Sequence, residues 1–419
     1  MYALVDAVSF YASAEKVFDP SIRSKPVVVL TNNDGCICAV CPIARKLGIP
    51  KFEPYFKLKG FLKKHGVVVR SSNYELYADL SERMMNIIAR YSDNHYVYSI
   101  DESFLHFKNY GSIVNDWHQY GHDIRRAIWK ETKLPVGVGF GTTSTLAKAA
   151  NHAAKKLAGY NGVAVIDNAK SGKEILEKID VGDVWGIGRK ISKHLRMQEI
   201  NTAYQLSLQP PKAIRKQFSV VIERTVSELN GISCLTWDEV KEPKREVFST
   251  RSFGQRITDI QTLKSALSTH SGVVAKKVRK QSSLIKKIMI FASSSPHDEG
   301  AYYKQAIVYK FPVATDNSCD IAKAIHLVLP EIFVEGVRFY RCGIGAIELE
   351  SRTFKQPDLF MPDNSNPKLM SCIDSINNRY GQGTLKLGSE GKSEVWQMKR
   401  HFLSPQYTSN WRDIPKIHC

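Results

Sequence analysis

The strongest constraint on the fold is that acidic residues stand inside two apolar, strand-like runs far apart in the chain. The first run is YALVDAV, residues 2–8, which contains Asp6, and the second is YVYSIDESFLHF, residues 96–107, which contains Asp101 and Glu102. Val, Ile, Tyr and Phe favour strands, whereas Asp and Glu are depleted in them. A buried carboxylate is costly unless it is paired or binds a metal. Both runs are therefore predicted to be strands of one sheet that brings three carboxylates together.

The acidic dipeptide has an ordinary explanation when it is taken alone, because Asp-Glu pairs often mark a hairpin tip in water. Asp6 in a second apolar run argues against that explanation. Unit charges about 4 Å apart repel by about 4 kcal/mol at an effective dielectric near 20. Three such carboxylates need protons or a cation, and oxygen ligands favour Mg²⁺, which keeps coordination positions for phosphates. Two such ions about 4 Å apart would support phosphoryl transfer.

The charge of the chain indicates a polyanionic partner. The 419 residues carry a net charge of +18, and the excess of Lys and Arg is spread over every part of the sequence. This distribution favours nucleic acid contacted by several domains over a globular domain with a basic tail. No apolar run approaches the roughly 18 residues of a membrane span, and the eight cysteines are scattered. A cytoplasmic protein with reduced thiols and no membrane contact is expected.

A glycine-rich turn in the middle of the chain favours DNA-backbone binding. Residues 184–195, VWGIGRKISKHL, match the turn of a helix-hairpin-helix. Gly186 and Gly188 would let the backbone approach a phosphate, and the N–H groups at the next helix start would point at it. Arg189, Lys190 and Lys193 follow directly, which favours this interpretation over an ordinary helix–helix turn.

Five motifs in this order make the chain resemble the Y-family translesion DNA polymerases. They are ALVDAVSFYASAE, SSNYELYAD, YSIDES, VGVGFGTTSTLAKAANHAAK and VWGIGRKISKHL. The runs TNNDGC, SSNYELYADLS, LAKAANHAAKK and QMKRHFLSP are most similar to the UmuC-type catalytic subunits of bacterial DNA polymerase V. The resemblance covers essentially the whole chain. It implies error-prone, template-directed transfer of deoxynucleotides from dNTPs to a primer 3′-hydroxyl opposite damaged DNA, as part of SOS mutagenesis.

The resemblance also implies an α+β, multidomain right-hand polymerase. It has a palm with an antiparallel or mixed sheet, small fingers, a helical thumb, an α/β little finger and a C-terminal tail. The expected boundaries are 1–10 with 76–168 for the palm, 11–75 for the fingers, 169–236 for the thumb, 237–242 for a linker, 243–350 for the little finger, and 351–419 for a partner-binding tail.

The family implies roles for individual residues at the catalytic site. Asp6, Asp101 and Glu102 match the metal-binding carboxylates, with the backbone carbonyl of Ala7 as a further ligand and two Mg²⁺ ions as cofactors. Glu102 also matches the carboxylate near the primer end.

The incoming nucleotide has its own set of matched residues. Tyr11 matches the steric-gate aromatic, which packs under the sugar so that a ribose 2′-hydroxyl would clash. Arg45 and Lys155 match cationic contacts to the triphosphate. Two positions depart from the family pattern: Pro42 stands where many relatives have a tyrosine, and Ser103 stands where the carboxylate motif usually ends in alanine.

Other residues are expected at macromolecular partners. The expected contacts to primer-template DNA are Gly186, Gly188, Arg189, Lys190, Lys193 and Arg251. QPDLF, residues 356–360, resembles the sliding-clamp peptide of bacterial polymerases: Leu359 and Phe360 would fill an apolar groove, and Gln356 would hydrogen-bond at its edge. The resemblance also implies a UmuD′ dimer and a RecA filament as partners.

Two other functions agree with part of the sequence. A metal-dependent nuclease with a helix-hairpin-helix would use the same carboxylates and basic charge, but it needs neither Tyr11 nor the triphosphate cations. A non-catalytic DNA-binding scaffold that recruits the clamp would place the carboxylates more than about 10 Å apart, rather than around a two-metal site.

Overall fold

A computed structural model describes residues 1–108, 110, 113–236, 242–354, 366–391 and 396–414. The chain divides into two compact units: unit 1 is Met1–Glu239 with His401–Cys419, and unit 2 is Val240–Arg400. Unit 2 is therefore an insertion in the sequence of unit 1, and the predicted tail, 351–419, is shared between the units. Both units combine helices with sheets, which confirms the predicted α+β class. None of the described helices is both long enough and apolar enough to cross a bilayer.

Unit 1 contains two sheets, a set of helices around them and a helical subdomain. Its strands are β1 (Tyr2–Ala7), β2 (Val27–Leu30), β3 (Ile37–Val40), β4 (Val68–Ser71), β5 (Asn94–Val97), β6 (Glu102–His106), β7 (Val136–Gly141) and β8 (Val163–Ile166). Its α-helices are α1 (Phe10–Glu15), α2 (Pro42–Lys46), α3 (Tyr55–Lys64), α4 (Tyr74–Ile88), α5 (Trp117–Thr132), α6 (Ser144–Lys156), α7 (Ala169–Leu176), α8 (Arg189–Arg196), α9 (Ala203–Ser207), α10 (Pro211–Gln217) and α11 (Val220–Leu229).

The larger sheet of unit 1 has β1 at its centre, in the order β5-β6-β1-β7-β8. Strand β1 runs antiparallel to both β6 and β7, whereas β7 and β8 are parallel. Ala3, Leu4 and Val5 of β1 are fully buried, as expected for a central strand covered on both faces. This position makes the end of β1 a rigid support for any side chain that it carries.

The acidic run 96–107 is a hairpin and not the single strand that its composition predicts. Strand β5 ends at Val97, and β6 begins at Glu102, so Asp101 lies in the connecting turn. The turn closes through hydrogen bonds from the N–H groups of Tyr98 and Ser99 to the carbonyl of Glu102, both 3.1 Å long. Adjacent residues of a strand point to opposite faces, and a position in the turn frees Asp101 from that rule.

Glycines of β7 allow helix α6 to pack closely against the sheet. A Cβ atom on Gly139 would lie 2.0 Å from the backbone nitrogen of Asn151, and one on Gly137 would lie 2.6 Å from Cγ of Lys155. The buried Asn151 amide then donates to the carbonyls of Leu4 and Gly137, at 3.1 and 2.8 Å, and joins α6 to β1 and β7. The VGVG run therefore fixes α6 over the end of β1.

The smaller sheet of unit 1 has the order β3-β2-β4, with β4 as an edge strand that pairs in parallel with β2. Val27, Val28, Val29 and Leu30 of β2 are fully buried in the same apolar core as the larger sheet. The remaining helices, α7 to α11, follow β8 and share a second apolar core with α6.

Unit 2 is a four-stranded antiparallel sheet with helices. Its elements are β9 (Val247–Ile257), α12 (Ile260–Lys280), β10 (Ser283–Ser294), β11 (Lys304–Thr315), α13 (Ser318–Ile332), β12 (Phe339–Ser351) and α14 (Pro367–Tyr380). The strand order is β11-β10-β12-β9. Helix α14 is attached to α12 by Arg279, whose guanidinium binds both carboxylate oxygens of Asp374 at 2.7 and 2.8 Å.

Unit 2 contains a buried histidine that should make its stability depend on pH. Burial, together with the charges of Arg251 and Lys277, lowers the pKa of His270 to about 4. Its Nδ1 lies 2.8 Å from the Ser249 hydroxyl. Because an unfolded histidine binds its proton near pH 6.5, the unfolded state binds more protons than the folded state between pH 6.5 and 4.

We therefore expect unit 2 to lose about 3 kcal/mol of stability as the pH falls from 7 to 4 through this histidine alone. Hydrogen exchange of β10 amides, measured across that range in the full chain, reports the local unfolding free energy. The His270→Gln variant should show a smaller slope, whereas exchange in His326→Gln, which alters an exposed histidine of α13, should follow the wild type. An equal slope in the His270→Gln variant would contradict this assignment.

Candidate active site

The three predicted carboxylates lie at one end of the central sheet. Asp6 is directly opposite Glu102 in the β1–β6 register. Asp101 lies beside them, because its backbone carbonyl accepts a 2.9 Å hydrogen bond from the N–H of Ala7. Its side chain accepts a 2.6 Å hydrogen bond from the Ser99 hydroxyl. Directly opposed residues on antiparallel strands have Cβ atoms about 5 Å apart, so these acidic groups are neighbours.

Two lysines of α6 neutralise these carboxylates. Lys155 Nζ lies 2.6 Å from Asp6 Oδ2, and Lys148 Nζ lies 2.7 Å from Glu102 Oε2. The Lys148 ammonium also lies 4.6 Å from the ring centre of Tyr98. Within the described ranges, no three His, Cys, Asp or Glu side chains form a ready-made metal cluster. The ammonium groups therefore supply the positive charge that balances the acidic pair.

The pKa of Asp6 depends on its burial and on the charges of its neighbours. Burial raises the pKa of Asp6 to about 6, Lys155 opposes the rise, and the charges of Glu102 and Asp101 add to it. A divalent cation at these oxygens would relieve both the desolvation and the repulsion. An all-oxygen set of three carboxylates with the Ala7 carbonyl has the chemistry that Mg²⁺ prefers. The residues present therefore fit a divalent metal site.

A pocket of about 430 Å³ adjoins the carboxylates. The predicted residues that line it are Asp6, Ala7, Tyr11, Arg45, Asp101 and Lys155. Lys51 and Lys156 also line it, and sequence reasoning missed both. Lys156 is adjacent to Lys155 in the run AKK, but no motif or spacing distinguishes Lys51 from other surface lysines. Four cationic side chains thus share one pocket with two of the carboxylates.

A left-handed residue turns the chain from β1 into α1. Ser9 has φ 49° and ψ 51°, a conformation that costs a non-glycine residue on the order of 1 kcal/mol. The Ser13 hydroxyl secures the turn by donating to the carbonyl of Val8 at 2.6 Å. The Ser9 hydroxyl in turn accepts a 3.3 Å hydrogen bond from Arg45. This turn places Tyr11 and Arg45 on the walls of the same pocket.

The Tyr11 ring is held by other tyrosines. It stacks on Tyr77 with ring centres 4.5 Å apart and planes 15° apart, and Tyr74 meets it edge-on at 6.2 Å. Tyr77 is fully buried, whereas Tyr11 is only partly buried and faces the pocket. Tyr11 therefore presents a braced aromatic surface to the pocket that Asp6 and Asp101 also line.

The two departures from the family pattern have local structural explanations. Pro42 is the first residue of α2, where its missing N–H costs nothing, and the Cys41 sulfur caps the helix by accepting from Ala44. Ser103 is fully buried, and its hydroxyl donates to the Tyr96 carbonyl at 3.1 Å. Its polar atom thus joins β6 to β5, and the neighbouring Glu102 keeps its own partner, Lys148.

The glycine-rich turn before α8 presents a basic surface. Gly186 has φ +89°, and a Cβ on Gly188, which precedes the first residue of α8, would meet nothing within 4 Å. Arg189, Lys190 and Lys193 are exposed, and no ion pair of theirs is found among the described residues. Free N–H groups and unpaired cations at one helix start suit a phosphate.

The structure gives less information about the other residues that are predicted to contact macromolecular partners. Arg251 is an exposed residue of β9 in unit 2. Gln356, Leu359 and Phe360 lie outside the described residues.

Comparison with protein families matches most of the chain. Residues 5–152 match the impB/mucB/samB family, and residues 244–359 match the C-terminal domain of that family. Residues 367–417 match DUF4113, a domain of unknown function.

Curated relatives extend the match over the full length. The chain is 40% identical to Protein UmuC of Salmonella typhimurium over 100% of both chains. It is 38% identical to Protein SamB of Salmonella typhimurium over 99% of both chains. DNA polymerase IV 2 of Bacillus subtilis is 24% identical, over 90% of this chain and 91% of that protein.

Solved structures show the same fold. A Y-family DNA polymerase chimera of Dbh and Dpo4 matches with a TM-score of 0.63 at 18% identity, over 82% of this chain and 98% of that chain. An insertion ternary complex of Dbh DNA polymerase matches with a TM-score of 0.53 at 19% identity, over 84% of this chain and 99% of that chain. Because residues 5–152 and 244–359 match the family models and the chain is 40% identical to Protein UmuC over its full length, the chain belongs to the impB/mucB/samB family.

Proposed function

We propose that this protein is a DNA-directed DNA polymerase that carries out error-prone translesion synthesis in SOS mutagenesis. The observation that carries the proposal is the position of Asp6 opposite Glu102, with Asp101 beside them, at a pocket that also presents Tyr11 and cationic side chains. Carboxylates for metal ions and cations for a triphosphate are what nucleotide transfer needs, and a rigid ring at the sugar would select deoxyribose.

We assign the metal ligands to Asp6, Asp101, Glu102 and the Ala7 carbonyl. Two Mg²⁺ ions bound there would neutralise the triphosphate and activate the primer 3′-hydroxyl for in-line attack on the α-phosphate. Asp6 holds its charge at the end of a buried central strand, so its oxygens are fixed within a small distance. Such preorganisation is what a metal site requires of the protein.

Lys155 and Arg45 are assigned to the incoming triphosphate. Lys155 is ion-paired with Asp6 and also lines the pocket, so its ammonium is close to both partners that it would serve. Arg45 donates a hydrogen bond to the Ser9 hydroxyl and lines the same pocket, so its guanidinium can contact phosphate oxygens there. Lys51 and Lys156 add positive charge to the same pocket. Together these cations would stabilise the negative charge that builds up on the leaving pyrophosphate.

The pocket argues against the two other functions. A nuclease needs no ring at the sugar position, yet Tyr11 shares the pocket with Asp6 and is braced by buried Tyr77. A scaffold would leave the carboxylates apart, yet Asp6 and Glu102 are direct cross-strand neighbours. Both observations favour polymerase chemistry.

We propose that the helix-hairpin-helix grips the primer-template through its backbone. Gly186, Gly188, Arg189, Lys190 and Lys193 would contact phosphates, and Arg251 would add a contact from unit 2. Such contacts do not depend on the base sequence. DNA releases counterions when the protein binds, and the free energy gained from that release shrinks as the salt concentration rises, so affinity should fall steeply with salt.

By resemblance we also propose a sliding clamp, a UmuD′ dimer and a RecA filament as partners in the bacterial cytoplasm. The clamp peptide would be QPDLF, with Gln356, Leu359 and Phe360 as its anchors. A short peptide of this kind binds as an extended segment in an apolar groove.

The purified full-length chain is expected to extend a primer with dNTPs in Mg²⁺, and to extend it past an abasic template site when clamp and accessory subunits are added. Gel analysis of extended primers measures both. Chelation by EDTA should stop extension. The ratio of extension with clamp to extension without it should fall towards unity in a Gln356→Ala, Leu359→Ala, Phe360→Ala variant.

An Asp363→Ala variant, altered in the same segment outside the motif, is the matched control and should keep its stimulation by the clamp. Shortened primers in place of extended ones would favour the nuclease. DNA binding without either reaction would favour the scaffold.

A further inference from the structure

The last described residues of unit 1 are built into the smaller sheet and its surroundings. The Ser71 N–H, at the end of edge strand β4, donates to the Phe402 carbonyl, and the Phe402 N–H donates to the Ser71 hydroxyl, both at 2.9 Å. The His401 N–H donates to Asp34 Oδ2 at 2.8 Å. Asp34 also accepts a 2.6 Å bond from the Ser71 hydroxyl. The C-terminal segment therefore supplies hydrogen-bond partners for polar groups at the edge of the smaller sheet.

Ser404 is the most deeply buried part of this segment. Its side chain is only 3% exposed, and its hydroxyl accepts a 3.0 Å hydrogen bond from the buried amide of Asn73. The same amide lies 3.4 Å from the Ser404 carbonyl. Phe402 packs edge-on against Tyr55 with ring centres 5.5 Å apart. Because Ser404 is buried, its hydrogen bonds are made to protein groups and not to solvent.

One of these groups belongs to Asn73, the residue that caps α4. Its side chain accepts a 3.3 Å hydrogen bond from the Leu76 N–H, and its carbonyl accepts a 3.0 Å hydrogen bond from the Tyr77 N–H. The Tyr77 phenol, at the other end of that residue, donates to Oε1 of the buried acid Glu15 at 2.6 Å. Asn73 is thus the link between the C-terminal segment and the tyrosine cluster.

Tyr77 transmits this link to the pocket. Its ring stacks on Tyr11, and its hydroxyl is fixed by Glu15. A continuous path therefore runs from Ser404 through Asn73 and Tyr77 to Tyr11. Every member except Tyr11 is buried, so the path is shielded from water and each contact is strengthened by the low local dielectric.

We propose that the C-terminal segment 401–407 sets sugar selectivity, with Ser404, Asn73 and Tyr77 acting as positioning residues for the Tyr11 ring. This inference rests on the proposed function of Tyr11 as the ring that meets the sugar. It gives the final part of the DUF4113 region a role in nucleotide choice at the pocket, through a segment that touches no substrate.

The size of the effect follows from the way that steric exclusion works. A ring excludes a 2′-hydroxyl only while it stays within a fraction of an ångström of its position, and misplacement by about 1 Å can change a rate by 10²-fold. Loss of the Tyr77 or Ser404 hydroxyl leaves the ring in place but frees it to move. We expect the ratio of dNTP to rNTP incorporation efficiency to fall about tenfold, mainly because rNTP incorporation rises.

The test uses the full-length chain with Ser404→Ala and Tyr77→Phe, each alone and in a Tyr11→Ala background. Incorporation efficiencies for one dNTP and the matching rNTP are measured on undamaged template. Each variant should lower the ratio in the wild-type background and leave it unchanged where Tyr11 is already alanine. Trp411→Ala, at a tail residue that is 89% exposed, is the matched control and should keep the wild-type ratio.

Two results would overturn the inference: a wild-type ratio in Ser404→Ala and Tyr77→Phe, or a fall of equal size in the Tyr11→Ala background. Failure of the wild-type chain to extend any primer would instead refute the proposed function. The path itself is then tested by urea unfolding. The double variant Ser404→Ala, Asn73→Ala should shift the midpoint by less than the sum of the single shifts, and strict additivity would refute the link through Asn73.

Discussion

Replacing Asp101 with asparagine is expected to lower the rate of nucleotide transfer by about 10³-fold or more. The change keeps the size of the side chain and removes one negative charge from a set that would hold two divalent ions. Asp101 lies in a turn and not in a strand, and its hydrogen bond from Ser99 can also be made to an amide oxygen, so the hairpin should persist. Single-turnover extension of a bound primer measures the rate.

The matched control is Glu82→Gln, which removes a charge from an exposed position of α4. It should extend primers at the wild-type rate. DNA affinity of Asp101→Asn should equal or exceed that of the wild type, because one repulsive charge has been removed. Full activity in Asp101→Asn would refute the assignment of the metal ligands.

Replacing Tyr11 with alanine is expected to reduce discrimination against ribonucleotides by on the order of 100-fold, or about 2.7 kcal/mol in the difference between activation free energies. The ring has a rigid backing in Tyr77, so wild-type Tyr11 cannot move away from a 2′-hydroxyl without breaking a stacked pair. Efficiencies of dNTP and rNTP incorporation on the same template give the ratio.

Tyr11→Phe is the control for this experiment, since it keeps the ring and removes only the hydroxyl. It should retain most of the discrimination if exclusion is steric. Equal ratios for Tyr11→Ala and the wild type would show that another group excludes the ribose.

The sequence predicts the centre of the site better than its surroundings. The proximity of Asp6 and Glu102 can be predicted, because residue composition indicates both strands and pairing in one sheet is the simplest way to bring the two residues together. Asp101 was expected in the strand, but it lies in the turn, since composition cannot show where a run of Tyr, Val and Ser reverses direction. The ordinary explanation of the dipeptide as a hairpin tip was therefore correct for Asp101, although the tip adjoins Asp6.

Helix capping cannot be read from residue spacing alone. Ser72 and Glu75 have capping-box spacing, yet the residue that caps α4 is Asn73, whose side chain accepts from the N–H of Leu76. The Ser72 hydroxyl donates instead to the Leu30 carbonyl at 2.5 Å. A buried strand carbonyl thus competes with the helix for the same hydroxyl, and only the tertiary structure shows which one it binds.

The long-range polar contacts cannot be predicted from the sequence. Lys148 and Lys155 could be placed on one helix, but nothing in their spacing shows that each is paired with a different carboxylate. The contacts of Ser404 and Phe402 with residues near 71–73 are also unpredictable, because serine and phenylalanine in a polar tail are ordinary. Such contacts depend on where two distant backbones meet, which is set by the whole fold.

The contact between Asn73 and Ser404 joins positions 331 residues apart in the chain. A ribosome adding about 5–20 residues per second needs roughly 17–66 s to make that intervening length. Throughout that interval the newly made part of unit 1 carries Asp34, Ser71 and Asn73 without their final partners. The hydrogen bonds around these residues are therefore completed only after residues 401–405 have been made. A chain terminated before residue 401 would contain Asp6, Asp101 and Glu102 and still lack the segment that we propose holds the Tyr11 ring in position.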